Sequence, residues 1–155
     1  MADARPATTD DLKALVELQS QLFAADAGEH DPHADISWPA REGRADFERL
    51  LQAEDSAVFV VEQDGDLVAF LDGYAAASSP TRQPVTFAVL RSLFVRADAR
   101  RTGAATLLVD RFVDWAGRQG CVEVHVDHYA ANAAAAAFYA SIDFAPRSVS
   151  RVRPL

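Results

Sequence analysis

Residues 93–106 read LFVRADARRTGAAT, and they join a predicted strand to a predicted helix. Its first residues complete Thr86–Val95, a run of β-branched and apolar residues that predicts a long strand. Its last residues open a predicted helix over 102–119, which Gly120 ends. Because the first N–H groups of a helix have no partner inside the helix, the junction between this strand and this helix is suited to binding an anion.

The side chains at the junction favour a diphosphate as that anion. Gly103, Ala104 and Ala105 have small side chains or none, and Arg100 and Arg101 add positive charge. The spacing matches neither the P-loop pattern nor the three glycines of the dinucleotide-binding fold. On spacing alone, a helix start with two solvated arginines is the alternative interpretation.

The remaining patterns predict a mixed α/β chain. Asp64-Gly65 lies between two β-rich runs and predicts a tight hairpin. The predicted elements in chain order are strand 2–5, a helix that starts after the acidic pair 10–11, an irregular segment 27–40, helix 44–53, strands 57–62, 67–74 and 86–95, helix 102–119, strand 122–127, helix 132–141 and a short C-terminal strand 148–152.

Length and charge narrow the class of protein. The 155 residues fit one domain, 1–155, and the net charge of −8 argues against nucleic-acid binding. No apolar run approaches the roughly 18 residues of a membrane span, and the N-terminal residues are acidic where a secretory signal is basic. We therefore expect no membrane association and a cytoplasmic location. Cys121 is the single cysteine, which excludes an internal disulfide.

Two segments taken together resemble the GCN5-related N-acetyltransferase (GNAT) family. The cofactor loop of that family is matched by Arg100, Gly103 and Ala105, which follow Leu93 and Val95 at the end of a strand. The second segment of the family is matched by Asn132, Ala135, Phe138, Tyr139 and Phe144. Asp143 departs from the pattern, since the family usually has glycine there.

The resemblance implies a fold and an activity. The fold is mixed α/β, with a mostly antiparallel sheet, one splayed parallel pair of strands and helices on both faces. The activity is transfer of an acetyl group from acetyl-CoA, without a metal, to a primary amine, with a small cationic molecule as acceptor. Two alternatives stay open: a non-catalytic acyl-CoA sensor or docking module, and an acetyltransferase for protein N-termini or lysines. A homodimer is also left open.

The resemblance also implies the cofactor residues. Backbone groups of Phe94 and Val95 are expected to pair with the pantetheine arm, and one N–H there is expected to polarise the thioester. The diphosphate is expected on the backbone of Arg101, Thr102, Gly103, Ala104 and Ala105, with the charge of Arg100 beside it. Asn132 is expected to bond the pantetheine arm, although it is equally a helix N-cap. Tyr139 is expected to be the general acid for the thiolate, although it also suits a core position.

The sequence defines the general base and the acceptor site less closely than it defines the cofactor site. The family's acidic residue on the central strand is replaced here by Arg91 and Ser92. Asp127 is therefore predicted as the general base, with Glu123, His125 and His128 as alternatives. Glu29 and Asp31 lie in an acidic segment expected to border the acceptor site, where carboxylates suit a cationic amine. A solvated loop is the alternative interpretation of that segment.

Overall fold

The structure, a computed structural model, describes residues 2–155. Its strands are β1 (Ala4–Pro6), β2 (Ser56–Gln63), β3 (Asp66–Ala77), β4 (Thr86–Val95) and β5 (Cys121–Val126). Its helices are α1 (Leu12–Leu22), α2 (Gly28–His30), α3 (Trp38–Gln52), α4 (Ala104–Arg118) and α5 (Ala133–Ser141). Short 3₁₀ turns lie at Thr9–Asp11 and Ala97–Ala99, and a π-helical turn lies at Phe23–Ala27.

The five strands form one sheet in the order β1-β2-β3-β4-β5. The first four are antiparallel neighbours, and β4 and β5 are parallel. The hairpin between β2 and β3 turns at Asp64 and Gly65, whose φ angles of 53° and 85° are those of the predicted tight turn. The sequence-based expectation of a mostly antiparallel sheet with one parallel pair is confirmed.

Helices cover both faces of the sheet because its strands alternate apolar side chains between the two faces. One core cluster joins Phe59 and Val61 of β2 to Leu108 and Phe112 of α4. The other cluster joins Val58 and Val60 of β2 to side chains of α1 and α3, among them Leu12, Leu15, Leu18, Phe47 and Leu50. The loop between β4 and α4 therefore lies at the edge of the core layer that α4 forms with the sheet.

The parallel pair separates part-way along its length. The pairing of β4 with β5 ends at Leu90 opposite Val126, and β4 continues for five more residues. On its other side β4 contains a β-bulge, because Gly73 lies opposite Leu90 and Asp72 lies opposite Ser92, which leaves Arg91 as the extra residue. A bulge bends its strand and increases the local twist. The backbone of residues 91–95 thus faces a gap instead of β5.

Two predicted boundaries are wrong. The segment 27–40, predicted to be irregular, contains α2 and the start of α3, which begins at Trp38 instead of residue 44. Pro39 lies in the first turn of α3, where a missing N–H costs nothing, so it starts a helix instead of breaking one.

The predicted C-terminal strand is also wrong: residues 148–152 join no sheet within the part of the chain described, and Val149 and Val152 are exposed. An apolar-polar alternation is sufficient for a strand only when a neighbouring strand accepts its hydrogen bonds. The turn before this segment forms despite Asp143, which adopts a left-handed φ of 71°. Aspartate tolerates that conformation better than most residues.

Candidate active site

The start of α4 is an open cradle of backbone N–H groups. Gly103 is the N-cap, with φ of 83°, and no side chain caps the helix. A Cβ atom built on Gly103 would have no atom within 4 Å, so the cradle is unobstructed. The Leu107 N–H donates to the Gly103 carbonyl at 3.0 Å. The backbone N–H groups of the three helical residues before Leu107 therefore have no carbonyl within the helix to bond. An anion is the ligand that such a helix start stabilises.

A groove of about 650 Å³ runs from this cradle along the gap between β4 and β5 to α5. The predicted cofactor residues that line it are Phe94, Val95, Arg100, Arg101, Gly103, Ala104, Ala105, Asn132 and Tyr139. Thr102 is not among its lining residues, because its hydroxyl donates to the Ala99 carbonyl at 2.7 Å and closes the loop. The fold therefore brings together residues from two sequence segments that lie about thirty positions apart.

Two of these side chains already have partners inside the protein. Arg100 donates from Nε to the Val95 carbonyl at 3.2 Å. Asn132 caps α5, since its Oδ1 accepts from the Ala135 N–H at 3.0 Å. Its Nδ2 donates to Asp26 Oδ1 at 3.0 Å, and this bond ties α5 to the π-helical turn. The N-cap interpretation of Asn132 is thereby confirmed.

Tyr139 lines the groove from α5 and is 9% exposed. Its ring packs against Phe138 and Phe144, and it stacks on His128 with centroids 6.0 Å apart. Burial, with the charge of Asp26 as a smaller cause, raises the pKa of Tyr139 to about 12. The phenol is therefore protonated at neutral pH and has a proton to donate in a hydrogen bond.

A second cavity, of about 530 Å³, adjoins the groove and is called here the acceptor cavity. The residues that line both spaces are Leu22, Asp26, Arg91, Ser92, Asp127 and His128. The acceptor cavity alone is lined by Gln19, Phe23, Ala27, Trp38 and Tyr129. A molecule in the acceptor cavity thus meets the groove at a boundary that carries two carboxylates, one guanidinium and one imidazole.

The four candidate bases fall into two groups. Glu123 accepts hydrogen bonds from Arg147, and these bonds hold the pKa of Glu123 well below its usual range. The ring of His125 stacks on that of Phe87, with centroids 4.4 Å apart. Neither residue lines the groove or the acceptor cavity. Asp127 and His128 line both. His128 Nδ1 lies 3.0 Å from the Tyr129 carbonyl, which can only accept, so Nδ1 is assigned the proton and Nε2 is left as an acceptor.

The acidic residues predicted for the acceptor side lie elsewhere. Glu29 is exposed, and Asp31 accepts from the backbone N–H of His33 at 2.9 Å. Neither lines the acceptor cavity, whereas Asp26, one turn earlier, lines it and the groove. Asp26 lies within the π-helical turn, whereas Glu29 and Asp31 follow it. The role of Glu29 and Asp31 in acceptor binding stays a prediction.

Sequence reasoning missed a buried ion cluster behind the cavity boundary. The guanidinium of Arg91 donates to Asp72 at 2.8 and 3.0 Å and to Asp46 at 2.7 and 3.3 Å. Asp72 is fully buried and Asp46 is 3% exposed. Burial raises the pKa of Asp72, and the hydrogen bonds from Arg91 oppose that rise. The signals in the sequence are Asp72 and Arg91, each a charged residue inside an apolar strand.

Two structural findings bear on metals and membranes. Across residues 2–155, no three His, Cys, Asp or Glu side chains are grouped so that they would hold a metal ion. Over the same residues, no helix combines the length and the apolar character that crossing a bilayer requires.

Comparison with known sequences places this architecture in a family. The profile described as "Acetyltransferase (GNAT) family" matches residues 15–144. The chain belongs to the GNAT family. It is 29% identical over 81 residues to the uncharacterized N-acetyltransferase YhfO of Bacillus subtilis (strain 168), an alignment that covers 51% of this chain and 53% of YhfO. The match thus spans about half the length of that relative.

Solved structures share the fold of this GNAT protein. A tetramutant of the BH1408 protein from Bacillus halodurans superimposes with a TM-score of 0.89 and 22% identity, over 98% of this chain and 99% of the other. The aminoglycoside N-acetyltransferase AAC(6')-Iy, in complex with the bisubstrate analog CoA-S-monomethyl-acetylneamine, superimposes with a TM-score of 0.79 and 23% identity, over 100% and 99% of the two chains. At these identities the likeness concerns the fold.

Proposed function

We propose that this GNAT protein is an N-acetyltransferase that moves an acetyl group from acetyl-CoA to the primary amine of a small cationic acceptor. The observation that carries the proposal is the continuity of the open cradle at α4 with a groove that passes Tyr139 and meets the acceptor cavity. The AAC(6')-Iy fold relative, bound to a CoA conjugate of an acetylated amine, supports this two-substrate interpretation.

The residues of the groove fit CoA. The diphosphate would be held by N–H groups between Arg101 and Ala105. The edge of β4 that faces the gap at Phe94 and Val95 would bond the pantetheine amides, beside the bond that Arg100 already makes to the Val95 carbonyl. The amide of Asn132 lies on the opposite wall, where the pantetheine arm would pass. When bound, acetyl-CoA supplies an activated acetyl thioester. A backbone N–H near Phe94 would donate to its carbonyl oxygen, and the phenol of Tyr139 would donate to its sulfur.

The acceptor must lose a proton before it attacks. An alkylamine with a pKa near 10.4 is neutral in roughly four molecules of ten thousand at pH 7. We assign that proton to Asp127, which lies at the boundary of the two spaces. His128 is the neighbouring alternative, through its free Nε2. No metal enters this scheme.

The first prediction tests the cofactor half of the proposal. Gly103→Val is expected to weaken CoA binding at least about tenfold, because a branched side chain would occupy the cradle. Gly120→Val is the matched control: Gly120 has φ of 80° and is equally open, but it lies at the far end of α4. Both variants should lose similar stability. Titration calorimetry that finds one affinity for wild type and a folded Gly103→Val would refute this cofactor site.

Turnover separates the leading proposal from its alternatives. Thiol release from acetyl-CoA, measured over a panel of amines, peptides and lysine-containing proteins, is expected with small amines. Binding of CoA without release in the presence of any acceptor would favour the sensor or docking module. Preference for peptides would favour the protein acetyltransferase.

We also propose that the protein is a cytoplasmic homodimer. The outer edge of β5 has no neighbouring strand within residues 2–155, and the chain beyond α5 exposes Val149, Val152 and Leu155. A second copy would cover such an edge and such side chains. Light scattering after size exclusion is expected to give twice the mass of the chain, and the mass of one chain would contradict the dimer.

A further inference from the structure

One hydrogen bond joins the two halves of the site. Asn132, the N-cap of α5, donates from Nδ2 to Asp26 Oδ1 at 3.0 Å. Asn132 lines the groove, whereas Asp26 lines both the groove and the acceptor cavity. Resting on the proposed function, we infer that Asp26 is a positioning residue for the cofactor. It fixes the amide of Asn132 so that one Nδ2 hydrogen stays available to a carbonyl oxygen of the pantetheine arm.

The amide of Asn132 is held at both of its ends. Its Oδ1 accepts from the Ala135 N–H at 3.0 Å, and a backbone N–H can only donate. Its Nδ2 donates to the carboxylate of Asp26, and an ionised carboxylate can only accept. A flipped amide would therefore place two donors together at one end and two acceptors together at the other. The two partners thus allow a single orientation of the amide.

The bond to Asp26 leaves Asn132 with a donor to spare. A side-chain amide nitrogen carries two hydrogens, and the bond to Asp26 uses one of them. Within residues 2–155, Nδ2 of Asn132 has no second hydrogen-bond partner. Asn132 is half-buried and lines the groove, so an acceptor that lies in the groove can take this hydrogen. The carbonyl oxygens of the pantetheine amides are acceptors of that kind.

Asp26 is in turn held from the side of the acceptor cavity. It lies in the π-helical turn, and its Oδ1 is 3.8 Å from Nε2 of His30. The ring of His30 packs on Tyr129, which lines the acceptor cavity. A hydrogen bond to an ionised carboxylate is roughly twice as strong as a neutral one. Loss of this carboxylate should therefore free Nδ2 of Asn132 to turn away, although Oδ1 would still cap α5.

The test compares two ligands by titration calorimetry: CoA, and 3′-phospho-ADP, which is CoA without its pantetheine arm. Asp26→Ala is expected to weaken CoA binding about fivefold, a factor typical of one lost hydrogen bond. The same variant should leave the affinity for 3′-phospho-ADP unchanged. A bond that only stabilised the fold would affect both ligands alike. Equal losses for the two ligands, or an unchanged affinity for CoA, would overturn the inference.

Matched variants separate the hydrogen bond from the side chains that make it. Asp26→Asn keeps an oxygen that can accept from Asn132, so its affinity for CoA should stay within about twofold of the wild type. Asn132→Ser keeps a good N-cap but has no amide to donate, and it is expected to weaken CoA binding about tenfold. The control is Asp35→Ala, since Asp35 bonds Ser37 and Arg41 and lines neither the groove nor the acceptor cavity. A loss in Asp26→Asn as large as that in Asp26→Ala would contradict the positioning role.

A double-mutant cycle shows whether Asp26 acts through Asn132. Because both residues serve one interaction, the double variant Asp26→Ala/Asn132→Ser should bind CoA about tenfold more weakly than the wild type, as Asn132→Ser alone does. Independent effects would multiply to about fiftyfold and would overturn the inference. Thermal unfolding checks that each variant is folded. The side chain of Asp26 is 29% exposed, so we expect Asp26→Ala to fold.

Failure of this inference is distinguishable from failure of the proposed function. Equal CoA binding by the wild type and Asp26→Ala would reject the role of Asp26 and keep the cofactor site. Gly103→Val, by contrast, should weaken both CoA and 3′-phospho-ADP, because both carry the diphosphate. A folded wild type that does not bind CoA would reject the proposed function and this inference together. CoA binding without turnover of any amine would reject the acetyltransferase itself, while the CoA affinities would still decide the role of Asp26.

Discussion

Arg91→Leu is expected to lower the free energy of unfolding by about 3–5 kcal/mol. The guanidinium of Arg91 bonds two carboxylates that are almost fully removed from water, Asp46 and Asp72. Leucine would leave Asp72 buried without a counter-charge and Asp46 paired with the exposed Arg49 alone, and the uncompensated desolvation is the physical cost. Urea denaturation at pH 7 measures the change.

Arg49 provides the matched control for this prediction. Its guanidinium also pairs with Asp46, but the Arg49 side chain is 69% exposed. Arg49→Leu is therefore expected to cost no more than about 1 kcal/mol, since solvent screens an exposed pair. Similar losses for the two variants would show that burial of the Arg91 cluster carries no special energy.

The stability deficit of Arg91→Leu, which is its loss in free energy of unfolding relative to the wild type, should depend on pH in a defined direction. Burial already raises the pKa of Asp72 in the folded protein, and loss of the opposing arginine would raise it further. A folded state that holds a proton more tightly than the unfolded state gains stability as the pH falls. The deficit is therefore expected to shrink between pH 7 and pH 4. A constant deficit would argue that lost packing, not uncompensated charge, is its cause.

Tyr139→Phe is expected to lower kcat by about 10², at the low end of the range for general acids. With its pKa raised to about 12, Tyr139 would give its proton to a thiolate of pKa near 8.5 at a cost of about 5 kcal/mol. We therefore expect its role to be a hydrogen bond that strengthens as the thiolate leaves. The ring and its contacts survive in phenylalanine, so the fall should appear in kcat while CoA binding holds.

Steady-state kinetics with Tyr74→Phe as control checks this role. Tyr74 is 37% exposed on β3 and lines neither cavity, so its variant should keep the wild-type kcat. Tyr139→Phe should lower kcat more for acyl donors with poor leaving thiols than for acyl donors with good ones. Because the pKa of Tyr139 is raised, its ionisation should not reduce the rate between pH 7 and pH 10. An unchanged kcat with every active acceptor would leave Tyr139 a packing role alone.

The sequence by itself was sufficient for the features that depend on neighbouring residues. The strand that ends at Val95, the helix that follows it and the turn at Asp64-Gly65 follow from local conformational preferences. The helix was predicted to begin at 102, and the structure instead makes Gly103 its left-handed N-cap. The antiparallel order with one parallel pair followed from these elements and the family resemblance, since short connections make consecutive strands neighbours. All the residues predicted to hold the cofactor except Thr102 line the groove, and their contact with CoA stays a prediction.

The acceptor half was decided by the tertiary structure. Asp26 bonds Asn132 across 106 positions of the chain, and Arg91 reaches Asp46 across 45 and Asp72 across 19. Such contacts leave no periodic pattern, because they depend on how α1, α3 and β4 pack once the bulge has turned β4. The C-terminal segment 148–152 has an alternating sequence but forms no strand, because no partner strand lies beside it. Local propensity thus determined the elements and the open backbone cradle at the start of α4, whereas the packing of distant elements determined the acceptor cavity and its charges.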